Sequence, residues 1–226
     1  MADTGNDELP TRQRISDAVG ALGWRLVRGA LHAEVRVPSL AEAATLAVAV
    51  VAAVDDGQDR LGIDVRADRA VLRVRSPRGV SEDDLRLAHA ISAVVTAAGR
   101  EVTVGTVAIQ AIEIAIDALD IGSIRPFWKA VLGYVDDTGA SDLAAGLVDP
   151  VGRGPVVWFQ QMDAPRPQRN RIHLDIDVPH DEAAARLGAA LAAGGTLLSA
   201  ERAPAFWVLA DAEGNEACVC TWQGRD

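Results

Sequence analysis

The sequence predicts a two-domain α+β protein, and three observations predict it. The aromatic residues are segregated: only Trp24 lies before residue 110, while Phe127, Trp128, Tyr134, Trp158, Phe159, Phe206, Trp207 and Trp222 lie after it. Helical spacing and strand alternation follow one another as α-β-β-α-β-β-α through the first half. The second half runs β-α-β-β-β twice, a repeat of roughly 60 residues that is too long for a solenoid unit and suits a duplicated module closing into one domain. The stretch AGREVTVGT at 98–106 places the join, giving domains over 1–105 and 106–226.

In the first half, Ile15, Val19 and Leu22 share a helical stripe over 12–22, which stops at Gly23. Strands at 24–27 and 31–37 flank the turn Arg28–Gly29. Pro38 ends the second strand, and Ser39 is a good N-cap for a helix over 40–54, with Glu42 at N3 as in a capping box. Asp55, Asp56 and Gly57 end that helix. Residues 62–66 and 70–75 alternate apolar and polar, which suits a hairpin. Ser81 caps a last helix with Asp83 and Asp84 in its first turn, where the helix dipole favours anions. Leu85, Ala88, Ile91 and Val95 form its apolar face, with Ser92 a small polar residue inside that stripe.

The second half opens with a strand at 109–116 and a helix at 124–132 ended by Gly133. Strands follow near 144–148 and 156–162. After the polar loop 163–170 the cycle restarts: strand 171–178, helix 181–193 ended by Gly194–Gly195, then strands near 196–199, 205–210 and 216–222.

The chain has 226 residues, 49% of them apolar and 24% charged, enough for a buried core. Its net charge of −10 and the lack of a basic run argue against nucleic acid and an anionic membrane surface as partners. The start MADTGNDELP lacks the basic and apolar regions of a secretory signal. The longest apolar stretch, 43–54, is interrupted by Thr45 and falls short of the about 20 residues that span a bilayer. The only cysteines, Cys218 and Cys220, share a strand face and cannot readily pair with each other, so free thiols and a cytoplasmic location are expected.

Four pieces of the second half carry a family resemblance: a first strand ending in Asp117, the run Phe127–Trp128–Lys129 through Leu132–Gly133–Tyr134, His173 opening the second module, and Asp211–Ala212–Glu213–Gly214–Asn215 before the last strand. On these, residues 109–222 resemble the vicinal oxygen chelate superfamily, the glyoxalase/bleomycin-resistance/dioxygenase fold, which pairs two βαβββ modules into a cupped sheet around a small-molecule site. Ala212 stands where that family usually has proline. Over 15–97 the first half is similar to pterin-4a-carbinolamine dehydratase. Leu22–Gly23–Trp24, Val37–Pro38 and the run from Val80 through Ala88 carry the match. That family has a His-His-Pro-Asp run where this chain reads Asp59–Arg60–Leu61–Gly62, and a further histidine near Arg75, Ser76 and Pro77. Imidazole exchanges protons near neutral pH and a guanidinium fixed in its charged form does not, so the resemblance implies a degenerate dehydratase-like domain.

The superfamily's four metal positions carry over to Gln110, Gln160, His173 and Cys218. None is a carboxylate, so the expectation is a site without a catalytic metal; a divalent ion, if present, would use those four, with Cys218 and His173 favouring zinc. His173, Asp175 and Asp177 share one strand face and Ile172, Leu174, Ile176 and Val178 the other. The polar face either lines a ligand cavity, with His173 and Asp175 as acid–base or anchoring groups, or is a solvated face paired with Arg169 and Arg171. Trp158, Gln160 and Met162 make a mixed wall suited to an organic ligand or an ordinary core strand. Gln110 falls beside Ile112, Ile114 and Ile116, on an apolar face. Trp128, Phe206 and Trp207 line core or cavity, Cys218 and Cys220 read as small core residues or ligands, and His32, His89 and His180 read as structural or surface groups. The function expected is binding of a small organic molecule by a homodimer. The alternatives are an active lyase, of dehydratase or metal-assisted glyoxalase type, and a non-catalytic sequestering or regulatory module.

Overall fold

A computed structural model describes residues 9–54, 57–103, 111–137, 146–165 and 172–224. It divides into two compact units between Ala111 and Ile112. The join expected at 105–106 lies outside the described residues, as do Gln110, Asp55, Asp56, Arg169 and Arg171.

The N-terminal unit contains α1 (Arg12–Gly20), β1 (Arg25–Val27), β2 (Ala30–Arg36), α2 (Leu40–Ala52), β3 (Leu61–Val65), β4 (Arg69–Val74) and α3 (Glu82–Ala97), the order the sequence predicts. Its antiparallel sheet runs β1-β2-β4-β3. Leu31, Ala33, Val35, Leu72 and Val74 alternate onto one face and form one core with Ile15 and Val19 of α1, Leu46 and Val50 of α2, and Ile91 and Val95 of α3. Ser92, the polar residue in the α3 stripe, accepts the indole Nε1–H of buried Trp24 at 2.9 Å and donates to Ala88 O. The polar residue is there because a buried indole N–H needs an acceptor.

The helix caps form with one difference from expectation. Ser39 accepts the amide of Glu42, but Glu42 turns to an ion pair with Arg100. The reciprocal capping box forms at α3 instead, between Ser81 and Asp84. Asp84 is fully buried and takes further donors from Arg60 Nη1 at 2.8 Å and Ser76 Oγ at 2.9 Å. A buried carboxylate is stable only with such pairing, and the helix N-terminus adds a favourable dipole. On the sheet face away from the helices, Arg25, His32 and Arg73 stand opposite one another across three strands. Burial and Arg73 push the His32 imidazole below its ordinary range, which keeps it neutral.

The C-terminal unit contains β5 (Glu113–Ala118), α4 (Ile121–Leu132), β6 (Val135–Asp136), β7 (Leu147–Val148) and β8 (Val156–Gln161), then β9 (Leu174–Asp177), α5 (Ala183–Ala192), β10 (Thr196–Ser199), β11 (Phe206–Ala210) and β12 (Glu216–Cys220). The two sheets run β5-β8-β7-β6 and β10-β11-β12-β9. In each module the first strand pairs parallel with the fourth, while the last three strands meander antiparallel. The duplication expected from sequence is therefore present in the pairing.

Several boundaries differ. The first strand of the module, expected at 109–116 with 109–110 outside the described residues, is seen at Glu113–Ala118; it runs on to Ala118 in register with β8, where Ala115 lies opposite Trp158 and Asp117 opposite Gln160. Strand β6 carries no sequence signal, since two residues show no period. Ile172, expected to share a strand face with Leu174, Ile176 and Val178, is exposed because β9 begins only at Leu174; the other three pack on the core. The helices pack on each other through Phe127 and the turn after α5. A Cβ at Gly195 would sit 2.4 Å from the Phe127 ring, so only glycine allows that approach. Arg186 of α5 donates to Val131 O at the C-terminal end of α4, where a cation suits the dipole. Among the described residues no helix is long and apolar enough to cross a membrane.

Candidate functional site

The turn between β11 and β12 organises the C-terminal unit. Asp211 is buried and accepts four hydrogen bonds. Its Oδ1 takes the amides of Glu213 (3.0 Å) and Asn215 (2.8 Å), and its Oδ2 takes Asn215 Nδ2 (2.8 Å) and the indole Nε1–H of Trp128 (2.9 Å). Backbone donors within the turn explain the spacing from Asp211 to Asn215, and Gly214 supplies the φ of 88° that the turn needs. Glu213 reaches the other module, where its carboxylate accepts the amides of Leu119 (2.8 Å) and Asp120 (2.7 Å). Asp120 is itself the N-cap of α4. Gln161, at the end of β8, donates to Leu119 O at 2.8 Å. The β5–α4 connection is thus fastened to the β11–β12 turn by charge-assisted hydrogen bonds.

Beside this fastening lies a cavity of about 600 Å³. Its apolar wall comes from Ile114 and Ile116 of β5, Trp128 of α4, Met162, Ile172 and Leu174. Its polar groups are Asp117, His173, Glu213, Asn215 and Glu216. Of the site residues the sequence singled out, His173, Trp128 and Met162 line it. Trp128 is at once core and lining: it is 2% exposed and packs edge-on against Phe127. Glu216 is a lining residue that sequence reasoning did not select, and Asp117, named there as the end of the first strand, is not among the ligand-binding residues expected. The signal for Asp117 was present, since it alternates with the core residues Ile116 and Ala118, but its position opposite Gln160 comes from the β5–β8 pairing.

Asp175, Cys218, Trp158 and Gln160 lie outside that lining. Trp158 and Gln160 share one face of β8, beside Ala115 and Asp117. Asp175 stands opposite Cys218 in the parallel β9–β12 pair, so both project on one side. There His173, Asp175 and Cys218 bring an imidazole nitrogen, a carboxylate oxygen and a thiol sulfur within 4.8 Å of one another. His173 Nε2 is 3.4 Å from Asp175 Oδ1. Burial, a hydrogen bond to Asp175 and the charge of that carboxylate push the Cys218 thiol up from 9.0 to about 12. At neutral pH the thiol therefore keeps its proton. The donor types suit zinc, but the sulfur ligates only after that proton leaves. Gln110, the first-module donor carried over from the resemblance, lies outside the described residues. Cys220 is a second buried cysteine on the same strand and is not in a disulfide. His180 has a partner that sequence reasoning missed: its Nδ1 accepts Trp222 Nε1–H at 3.3 Å.

Residues 113–220 match the family model described as a glyoxalase-like domain, the stretch spanned by the two modules. This part of the chain is therefore similar to glyoxalase-like domains, in keeping with the resemblance its four motifs carry. Solved structures cover similar ground. A glyoxalase/bleomycin resistance protein/dioxygenase family enzyme from Burkholderia phytofirmans PsJN is 22% identical over 48% of this chain and 95% of that one, with a TM-score of 0.40. A glyoxalase-related enzyme from Fulvimarina pelagi is 18% identical over 50% and 88%, with a TM-score of 0.40. The fosfomycin resistance protein FosX from Mesorhizobium loti is 11% identical over 50% and 92%, with a TM-score of 0.39. No curated protein matches the chain.

The Cys218 thiol carries a pH signature. The unfolded chain loses this proton near 9.0 and the folded one near about 12. Its contribution to stability is fully present below pH 9 and is lost as pH rises through that window. Urea midpoints of the native chain should therefore fall between those values, and Cys218→Ala should fall less steeply. Parallel slopes for the two proteins would contradict the assignment.

Proposed function

We propose that the glyoxalase-like domain binds a small organic molecule in the cavity beside β5 and β9, with His173 as its polar anchor and no catalytic metal. The carrying observation is the cavity: about 600 Å³, walled by apolar side chains with a few polar groups at its rim, within the usual range for small-molecule sites. Asp175, 3.4 Å from His173 Nε2, stands beside the imidazole, whose nitrogens can each donate or accept a hydrogen bond to a ligand. Filling the cavity tests the reading. Wild-type protein should bind 2-naphthalenemethanol saturably by calorimetry, and Ile114→Trp should abolish binding while keeping its circular dichroism spectrum. Equal binding by the two proteins would place the ligand elsewhere.

A second reading rests on the three donors within 4.8 Å. With zinc held by His173, Asp175 and Cys218, the site would be a metal-assisted lyase, the ion supplying a Lewis acid. Cobalt(II) added to the full chain should then give a thiolate-to-cobalt absorption band that Cys218→Ala removes. No band at stoichiometric cobalt leaves the metal-free reading.

For the N-terminal unit we propose a dehydratase-like frame that has lost its acid–base group. The element order supports this. So does Arg60, which stands where the resembling family has histidine and whose guanidinium is bound to buried Asp84. A permanently charged group in that place transfers no proton. The full chain should not dehydrate a pterin-4a-carbinolamine above the buffer rate. Turnover that Asp59→Ala abolishes would make this unit an active lyase.

A further inference from the structure

We propose that the N-terminal unit pairs with a second copy of this chain along the free edge of β3, joining two four-stranded sheets into one continuous sheet with the two α2 helices packed together on one face. The direction of the backbone groups carries the proposal. β3 is an end strand, bonded only to β4. Arg66 N donates to Arg69 O and Arg75 N to Arg60 O, each between residues directly opposite in the continued register. In an antiparallel ladder such bonded pairs alternate with unbonded ones. Gly62 and Asp64 therefore turn their amides and carbonyls toward β4, and Leu61, Ile63 and Val65 turn theirs outward. Apart from Leu61 N, which donates to Gln58 O, those outward groups bond nothing among the described residues. The other side of the sheet is closed further: beyond the short strand β1, the edge of β2 is taken by Val102, which bridges Val35, and by Thr103, whose amide donates to Glu34 O. An open strand edge is a template for another strand.

A second copy satisfies this edge by symmetry. Antiparallel pairing centred on Ile63 sets Ile63 against Ile63 of the second copy, so their amides and carbonyls bond each other across a twofold axis. Each Val65 amide then meets a Leu61 carbonyl. Asp64 falls opposite Gly62 rather than another carboxylate, so no like charges face each other there. Arg66, next along, is held by Asp64 of its own copy, and Arg60, which it would face, by Asp84. A surface that complements itself in this way makes an isologous interface. Helix α2 adds apolar area to it. It packs on β3 and β4 through Ala43, Leu46 and Val50. Glu42 pairs with Arg100, just beyond α3, which marks the flank toward α3. At about 100° per residue, Leu40, Ala44 and Val51 fall on the opposite flank, above the β3 edge. Leu40 is 55% exposed, Val51 41% and neighbouring Val48 70%. A helix open to water usually carries charge on that side, and α2 has no charged residue except Glu42. The axis that joins the β3 strands stands perpendicular to the sheet, so both helices lie on one face and their apolar flanks meet.

Sedimentation equilibrium and hydrogen exchange on the full chain test this. The native chain should sediment at twice the monomer mass, with the amides of Ile63 and Val65 protected as well as those of Gly62 and Asp64. Ala44→Glu, at an exposed position within α2, sets like charges on the meeting flanks. It should weaken association about tenfold or more while the circular dichroism spectrum stays unchanged. In the monomer it yields, the Ile63 and Val65 amides should exchange freely while Gly62 and Asp64 keep the protection of the β3–β4 ladder. Ala44→Arg should act alike, and an equimolar mixture of the two variants should associate again, because opposite charges then meet. A native chain that stays monomeric at high micromolar concentration overturns the proposal and leaves the edge to a foreign strand. A dimer whose Ile63 amide exchanges freely, or one that Ala44→Glu leaves intact, overturns it equally, because the copies then meet elsewhere.

Discussion

The buried carboxylate of Asp211 is the constraint on which the C-terminal unit depends. One side chain gathers two backbone amides, a side-chain amide and the Trp128 indole. Four donors make burial of the charge tolerable, and removing the acceptor would strand the donors at a cost of about 1–3 kcal/mol each where they are buried. Trp128 belongs to the first module and Asp211 to the second, so this cluster is also a joint. Glu213, two residues on, completes it by holding the start of α4. The cavity lies beside that joint, and Trp128, Glu213 and Asn215 belong to both.

The N-terminal unit uses the same device at a helix start. Asp84 is buried, completes the capping box with Ser81 and draws in Arg60 and Ser76. The two carboxylates differ in consequence. Asp84 consumes the groups near it, including the guanidinium of Arg60. Asp211 instead takes its donors from the turn and from Trp128, residues that also line the cavity.

The cluster of His173, Asp175 and Cys218 shows how pairing sets chemistry. An anion beside a thiol resists a second negative charge, so Asp175 and burial hold the Cys218 proton. The same carboxylate stands 3.4 Å from the His173 imidazole, so one anion is shared by the thiol and the ring.

The sequence by itself determined the helices, their caps at Ser39 and Ser81, the core stripes, the duplicated module and the face shared by His173, Asp175 and Asp177. These are local properties: helical and strand periods are written in neighbouring residues, and a cap needs only three or four of them. Tertiary structure decided the rest. The parallel pairing of β9 with β12 set Cys218 beside Asp175, and that of β5 with β8 set Asp117 beside Gln160 and moved the strand toward Ala118. The short strand β6 exists only through its pairing with β7. Asp117 and Glu216 became cavity residues because two distant segments approach each other. Register and cavities depend on contacts between residues far apart in the chain, and no local period records them.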